Sequence, residues 1–322
     1  MKKLLSTVCT AVLLTFSGSG VLAQTYPTKP VKIVVPFGPG GFTDVVARIL
    51  GVKLGESLGQ PVVIENKPGA GSMIGSDQVA KSTPDGHTLL IVSSTHVISP
   101  WIYKNVPYDP IKAFTPVTKL VDSPYVLLTN PKVPAKNVQE FIALAKSQPN
   151  NIHFASSGNG SAQHLIGGLF ASMTNTQLKH VPYRSSNLAA TDLVAGVVES
   201  SFAGVPNALA QVPNGRLNAL AVTSAKRIPQ LPNVPTMQEA GVPGYDATIW
   251  LALLAPAGTP ANIVNRLNSD VAKIMSTPET QKAMYDAGVE VSLSTPAALS
   301  QLMVSELEKW GKVVKEAGIK IE

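Results

Sequence analysis

The chain holds one cysteine in 322 residues, Cys9. That excludes a disulfide scaffold and any cysteine-based zinc site. No H-E-x-x-H run occurs, and His87, His96, His153, His164 and His180 have no metal-ligand spacing. The one Gly-Lys pair, Gly311-Lys312, is followed by Val313, so a phosphate-binding P-loop is missing. A G-x-S-x-G nucleophile elbow is missing too. There is no long basic run and no interleaving of aromatic with basic residues, which argues against nucleic acid as a partner. Past the first residues, no apolar stretch reaches the roughly 20 residues a membrane-spanning helix needs.

What is present begins with an address. Lys2 and Lys3 precede an apolar run from Leu4 to Phe16, and small residues lead to Val21-Leu22-Ala23. This is the order of a secretory signal peptide, with cleavage expected after Ala23. Removal of residues 1–23 leaves 299 of 322 and takes the formal net charge from +6 to +4, because Lys2 and Lys3 go with them. A mature chain of that length without cysteine must be held by its core and has room for two domains. The expected location is the periplasm.

Strand-like and helix-like runs alternate. Val31–Val35 is β-branched, Asp44–Leu58 carries apolar residues at helical spacing, and Pro61–Glu65, Ser72–Lys81 and Thr88–Val92 continue as strand, helix and strand. The pattern restarts with strand Tyr125–Thr129, helix Val138–Ser147 and strand Ile152–Ala155. Helix Ala162–Met173, strand Leu178–Val181, helix Leu188–Ala195 and strands Val197–Phe202 and Leu217–Val222 follow. Helices opened by Thr259-Pro260, Thr277-Pro278 and Thr295-Pro296 dominate the end of the chain, with a strand at Val289–Leu293 between them and a stop at Ala317-Gly318. The βαβ order predicts an α/β protein of two lobes, each a mainly parallel sheet flanked by helices. The expected division is residues 24–122 with 247–322, and residues 123–246. A cleft between lobes is a preferred ligand site, beyond the carboxyl ends of the strands.

The segment Val35-Pro36-Phe37-Gly38-Pro39-Gly40-Gly41-Phe42-Thr43-Asp44 lies at such an end. It reads as strand, Gly/Pro turn and helix N-terminus. The first amides of a helix have no intrahelical partners and carry the positive end of its dipole, which suits an anion. The same residues also describe a turn that binds nothing. Asp44 would repel an anionic ligand directly, so it is expected to hold the loop through its amides. In the second half, Ser156-Ser157-Gly158-Asn159-Gly160-Ser161 offers hydroxyls and close amides, and Ser94, Thr95 and His96 follow another strand. Arg184, after Tyr183, could pair with a carboxylate or simply face solvent. Gly69-Ala70-Gly71-Ser72-Met73-Ile74-Gly75 is one residue out of step with a dinucleotide fingerprint and reads better as a helix entry. A hydrolytic triad can be drawn from Ser161, His164 and Asp192, as it can in many chains.

Together these segments resemble the Bug, or TctC-like, family of extracytoplasmic solute receptors of tripartite tricarboxylate transporters. The resemblance runs from Tyr26-Pro27 onward and is carried by the Val35–Asp44 run, Gly59-Gln-Pro-Val-Val-Ile-Glu-Asn66, Pro68-Gly-Ala-Gly71, Pro84-Asp-Gly86, Val106-Pro-Tyr-Asp109, His180-Val-Pro-Tyr183 and Ala255-Pro-Ala-Gly-Thr-Pro260. It implies a Venus-flytrap binding protein, type II-like, that closes over a small carboxylate and delivers it to a membrane permease, with no cofactor and as a monomer. The carboxylate, an amino acid or an aromatic acid included, would be held by Phe37, Gly38, Gly40, Gly41, Phe42, Thr43 and Asp44. Ser156, Ser157, Gly158, Ser161 and His164 would face it, with Ser94, Thr95, His96, Tyr183 and Arg184. Phe42 stands where the family often has a small residue, and would either shape the pocket or pack into the first lobe. The rival readings are a secreted serine hydrolase and a receptor that reports to a sensor kinase.

Overall fold

The structure is a computed structural model that describes residues 26–316. The expected leader and the Ala317-Gly318 stop lie outside the described residues. In chain order the elements are β1 (Val31–Val35), α1 (Phe42–Leu58), β2 (Val62–Asn66), α2 (Met73–Ala80), β3 (Thr88–Ser93), α3 (Thr95–Ile102) and β4 (Phe114–Ser123). The chain continues through β5 (Tyr125–Thr129), α4 (Val138–Ser147), β6 (His153–Ser156), α5 (Ala162–Thr174), β7 (Lys179–Pro182), α6 (Ser186–Ala195), β8 (Ser200–Gly204), α7 (Val205–Gln211) and β9 (Asn218–Val222). It ends with β10 (Ile249–Pro256), α8 (Ala261–Met275), α9 (Pro278–Asp286), β11 (Glu290–Val291) and α10 (Pro296–Glu316).

The strands form two sheets, ordered β11-β4-β10-β3-β1-β2 and β7-β6-β8-β5-β9. In the first, β1, β2, β3 and β4 run one way and β10 and β11 the other. In the second, only β5 opposes the rest. Each sheet with its helices is one lobe. The two-lobed α/β architecture expected from the sequence is therefore present, but both sheets are mixed, with β10 and the edge strand β11 reversed in the first and β5 in the second.

Four elements were not anticipated, and each hides for a physical reason. β10 is buried along its whole length, so it shows no alternation, and a short apolar run of this kind reads equally as helix. β4 is its antiparallel partner, and its polar Lys119 and Asp122 pair with each other at 2.8 Å. α3 contains Pro100, which signals a break. α7 is seven residues long and opens on Gly204. The last strand is shorter than the expected Val289–Leu293, because β11 pairs with β4 only through Glu290 and Val291.

The chain passes between sheets twice. β4 ends at Ser123 and β5 begins at Tyr125; the return enters β10 at Ile249. Thr223 ties the two passages together. Its backbone exchanges hydrogen bonds with Tyr125 and Ala247, and its hydroxyl donates to the Ala247 carbonyl (3.0 Å) and accepts from the Tyr125 amide (2.8 Å). One apolar cluster runs across both lobes, from Leu90 and Val97 to Phe141 and Phe202, with the fully buried Trp310 of α10 among them. The lobes thus share a core on one side of the sheets. Two further clusters fill the remaining face of each lobe.

Candidate functional site

The Gly-rich loop joins β1 to α1. Gly40 adopts φ 75, a left-handed conformation that costs an L side chain about 1–2 kcal/mol. Gly41 is the N-cap of α1 and provides no capping side chain, so the first-turn amides are left to the loop's surroundings. Asp44 sits in that first turn and is buried, at 2% exposure. Its Oδ2 accepts from the Gly40 amide and from Arg48 Nε, both at 2.9 Å, and its Oδ1 accepts from Asn66 Nδ2 at 2.9 Å. Asn66 Nδ2 also donates to the Phe37 carbonyl at 3.1 Å. One carboxylate therefore links the loop, the helix and the end of β2. Burial alone would raise the Asp44 pKa, but the Arg48, Gly40 and Asn66 hydrogen bonds outweigh it and hold the carboxyl below its usual range. The Arg48 guanidinium balances the charge, so Asp44 does not cancel the positive end of α1.

This loop walls a cleft between the lobes. A first compartment of about 470 Å³ is bounded on one side by Phe37, Gly38, Gly41, Phe42, Thr43, Ser72, Ser93, Thr95, Ser99 and Tyr103. Tyr125, Ser157, Asn159, Gly160, Ser161 and Ser186 bound it on the other. A second compartment of about 720 Å³ shares Gly38, Gly41, Phe42, Tyr125, Ser157 and Ser186 with the first and adds Gly40, Gln163, Arg184, Asn187, Asn207 and Asp286. Both volumes suit a small ligand.

The first compartment has ten hydroxyl-bearing residues on its walls and, among the described residues, no charged side chain. First residues or caps of α1, α3, α5 and α6 (Phe42, Thr95, Ser161 and Ser186) border it. Four positive dipole ends converge on a cavity without a cation. Ser72, at 5% exposure, lies on its wall, and its Oγ has no hydrogen-bond partner among the described residues. Phe42 does both things considered for it: it packs against the first-lobe core and borders both compartments.

The structure brings Phe37, Gly38, Gly40, Gly41, Phe42, Thr43, Thr95, Ser157, Ser161 and Arg184 to the cleft wall. Asp44 stands behind that wall, as its contacts show. Six other residues named from the sequence are elsewhere. Ser94 is fully buried, and its amide donates to the Trp250 carbonyl. His96 enters the first-lobe core, stacked on Tyr108 with ring centroids 5.5 Å apart, and its Nε2 bonds the Pro110 carbonyl at 3.0 Å. Ser156 turns inward, its Oγ 2.6 Å from His180 Nε2 and 3.0 Å from the Gly158 amide. Gly158 is thus committed to the loop's own turn. His164 stacks on His180 with centroids 3.7 Å apart, and its Nδ1 accepts from the Gly160 amide at 3.1 Å. Tyr183 donates its hydroxyl to Asp192 Oδ2 at 2.8 Å. That bond also dismantles the drawn triad. Asp192 serves Tyr183, and the Ser161 hydroxyl caps α5 by accepting the His164 amide at 3.3 Å.

Ser72, Ser99, Tyr103, Tyr125 and Ser186 were missed. Ser99 carried one signal, since it lies one helical turn after Thr95 and donates to the Thr95 carbonyl at 3.0 Å.

The misplaced histidines have a consequence for stability. Burial outweighs the Pro110 hydrogen bond and holds His96 down to about 4; burial and the adjoining His164 hold His180 down to about 3. The unfolded chain would take up protons near pH ~6.5 that the fold refuses. Stability from these groups is therefore complete above that pH and is lost as pH falls toward 4 and below. Urea unfolding at pH 7, 5.5 and 4.5 should show the decline, at up to ~1.4 kcal/mol per pH unit for each histidine. His96→Phe should make it shallower. An equal slope in the variant would mean that His96 titrates normally in the fold.

Comparison with known proteins agrees with the two-lobed fold. The family description "Tripartite tricarboxylate transporter family receptor" (TctC) matches residues 46–319. Protein BugT of Bordetella pertussis is 36% identical over 324 residues, covering 100% of this chain and 99% of that protein. An R. palustris protein solved with adipate is 35% identical, with TM-score 0.83, covering 92% of this chain and 100% of its own. MatC from Rhodopseudomonas palustris, solved with bound malate, is 34% identical, with TM-score 0.79, covering 90% and 100%.

Proposed function

Because the chain belongs to the tripartite tricarboxylate transporter receptor family, we propose that it captures a small carboxylate in the cleft between its lobes and hands it to the family's membrane permease. Family and fold are those of periplasmic solute-binding proteins. The observation that carries the carboxylate reading is the uncapped N-terminus of α1 on the wall of a compartment rich in hydroxyls and free of charged side chains. Amides and hydroxyls there would replace the water shell of an anion, at about 1.5–3 kcal/mol for each hydrogen bond to a charged group. A few such bonds with apolar burial against Phe37, Phe42 and Tyr125 suffice for micromolar binding, roughly −8 kcal/mol. Lobe closure over the ligand would provide the form that the permease reads, with the receptor acting as a monomer. The structures solved with adipate and with malate support the same ligand chemistry.

A thermal-shift panel tests this. Mono-, di- and tricarboxylates, aromatic acids, amino acids and neutral sugars would be screened against the purified protein. A ligand at 100 times its dissociation constant stabilises by about 2.7 kcal/mol, which corresponds to a rise of roughly 5 °C in Tm. Stabilisation by at least one carboxylate is expected. Stabilisation by neutral sugars alone would overturn the anion reading.

A further inference from the structure

The two walls of the cleft use their backbones in opposite ways. The α1 loop leaves its first-turn amides uncapped. The loop 156–161 consumes its amides internally. Ser157 donates to Gln163 Oε1 at 2.9 Å, Gly158 to Ser156 Oγ at 3.0 Å, Gly160 to His164 Nδ1 at 3.1 Å and Ser161 to the Gly158 carbonyl at 3.2 Å. Ser157, Asn159 and Ser161 of the same loop border the cleft.

Two of these acceptors involve histidine. His164 takes the Gly160 amide directly, and Ser156 Oγ, which takes the Gly158 amide, lies 2.6 Å from His180 Nε2. The two imidazoles lie flat on each other, 3.7 Å apart and at 5° to one another, and His180 also rests on Phe154 at 5.0 Å. A hydroxyl donates or accepts, so the Ser156–His180 bond survives either state of that ring. An amide N–H only donates. The bond from Gly160 therefore needs an unprotonated Nδ1, which puts the proton of the neutral His164 ring on Nε2. Burial, and after it the adjoining His164, keep His180 neutral down to about 3. A proton taken up by the stack accordingly belongs on His164, where it displaces the Gly160 amide.

The other titratable groups around the stack are engaged elsewhere or face solvent. His153 of β6 bonds Glu199 at 2.8 Å, Asp192 of α6 accepts from Tyr183, and Glu306 of α10 accepts from Trp310 and Lys309. Lys179 and Arg184 at the two ends of β7 are exposed, as are Glu308, Lys312 and Lys315 of α10. From the first lobe, the Tyr103 hydroxyl faces Gly160.

We propose that His164, stacked on His180, is the positioning residue of the second-lobe wall: as a neutral acceptor it fixes the loop that carries Ser157 and Asn159 to the cleft, and a proton on it releases that loop. The inference rests on the cleft being the ligand site and adds to it a proton-dependent control of one wall. A freed imidazole titrates near ~6.5, so the hold is complete above that pH and is lost as pH falls below it.

The first readouts use the full chain without ligand. Nitrogen-15 NMR of histidine-labelled protein at pH 7.5 should show His164 as the Nε2–H tautomer. Hydrogen exchange of segment 156–161, expressed as protection factors and referred to Ile249–Pro256 of β10, should show protection falling about tenfold between pH 7.5 and 4.5. His164→Asn places Oδ1 where Nδ1 stood and cannot titrate. It should protect the loop as wild type does at pH 7.5 and keep that protection at pH 4.5. His164→Leu should lose about tenfold at both. Calorimetric titration with adipate, malate, citrate and benzoate in turn adds a binding readout at pH 7.5. Whichever binds should bind His164→Asn within about twofold of wild type and His164→Leu about tenfold more weakly. An Nδ1–H tautomer, a wild-type loop whose protection ignores pH, or wild-type protection or affinity in His164→Leu would overturn the role of His164. Binding of none of the four acids, with the loop behaving as expected, would count against the carboxylate reading and leave the role of His164 standing.

Discussion

Asp44→Ala should abolish tight ligand binding and cost the protein about 1–3 kcal/mol of stability, the range for leaving a buried hydrogen-bonding group unsatisfied, because Arg48 is half exposed and remains solvated. The Gly40 amide, Arg48 Nε and Asn66 Nδ2 all converge on this carboxylate; the substitution leaves the Gly40 amide without its acceptor, while Arg48 keeps Asn66 Oδ1 and Asn66 Nδ2 keeps the Phe37 carbonyl. The Gly40 amide is at the ligand-facing loop and Asn66 is at the end of β2, so the loop loses its tie to the first turn of α1 and keeps only the Asn66–Phe37 bond to β2. Asp44→Asn separates charge from geometry. It preserves one acceptor for Gly40 but loses the charged partner of the half-exposed Arg48, and a smaller loss is expected, about 1 kcal/mol. Chemical unfolding and calorimetric titration of the two variants would check this. Retention of wild-type affinity by Asp44→Ala would mean that the loop holds its shape without the brace.

Gly40→Val should weaken ligand binding by roughly thirtyfold, equivalent to about 2 kcal/mol of backbone strain, while the protein stays folded. An added Cβ at Gly40 would meet nothing within 4 Å, so the penalty comes from the backbone angle and not from a clash. At φ 75 a β-branched residue is a conformational outlier. The loop is expected to relax into a conformation that moves the first amides of α1 away from the cleft. Gly40→Ala should fall between wild type and Val. Equal binding by all three would show that the left-handed turn does not set the position of those amides.

The parts of the site that could be read from the sequence are local. A β-branched strand, a Gly/Pro turn and a helix start all lie within Val31–Leu58, and the role of Asp44 follows from its place in the first turn. The errors arise where side-chain direction matters. Thr95 and His96 are adjacent on α3, about 100° apart around the helix, so one borders the cleft and the other enters the core. Ser156 ends β6, and consecutive strand residues point to opposite faces. Ser156 accordingly meets His180, while Ser157 meets the cleft. Ser72, Tyr103 and Tyr125 reach the cleft through the packing of whole elements, which no local pattern encodes. The central strand β10 escaped notice because burial on both faces erases the period-two signal.

Phe42 is the residue whose role the structure sharpens most. It packs against the first-lobe core and at the same time borders both compartments of the cleft.

The most direct test of the central claim is a crystal structure of the protein with the carboxylate that raises its Tm most. One carboxylate group should lie at the N-terminus of α1, its oxygens ~2.7–3.2 Å from the amides or hydroxyl of the Gly41–Thr43 segment or from a single bridging water. A ligand seated outside the cleft, or one that turns its neutral end toward Gly41 and Thr43, would contradict the account.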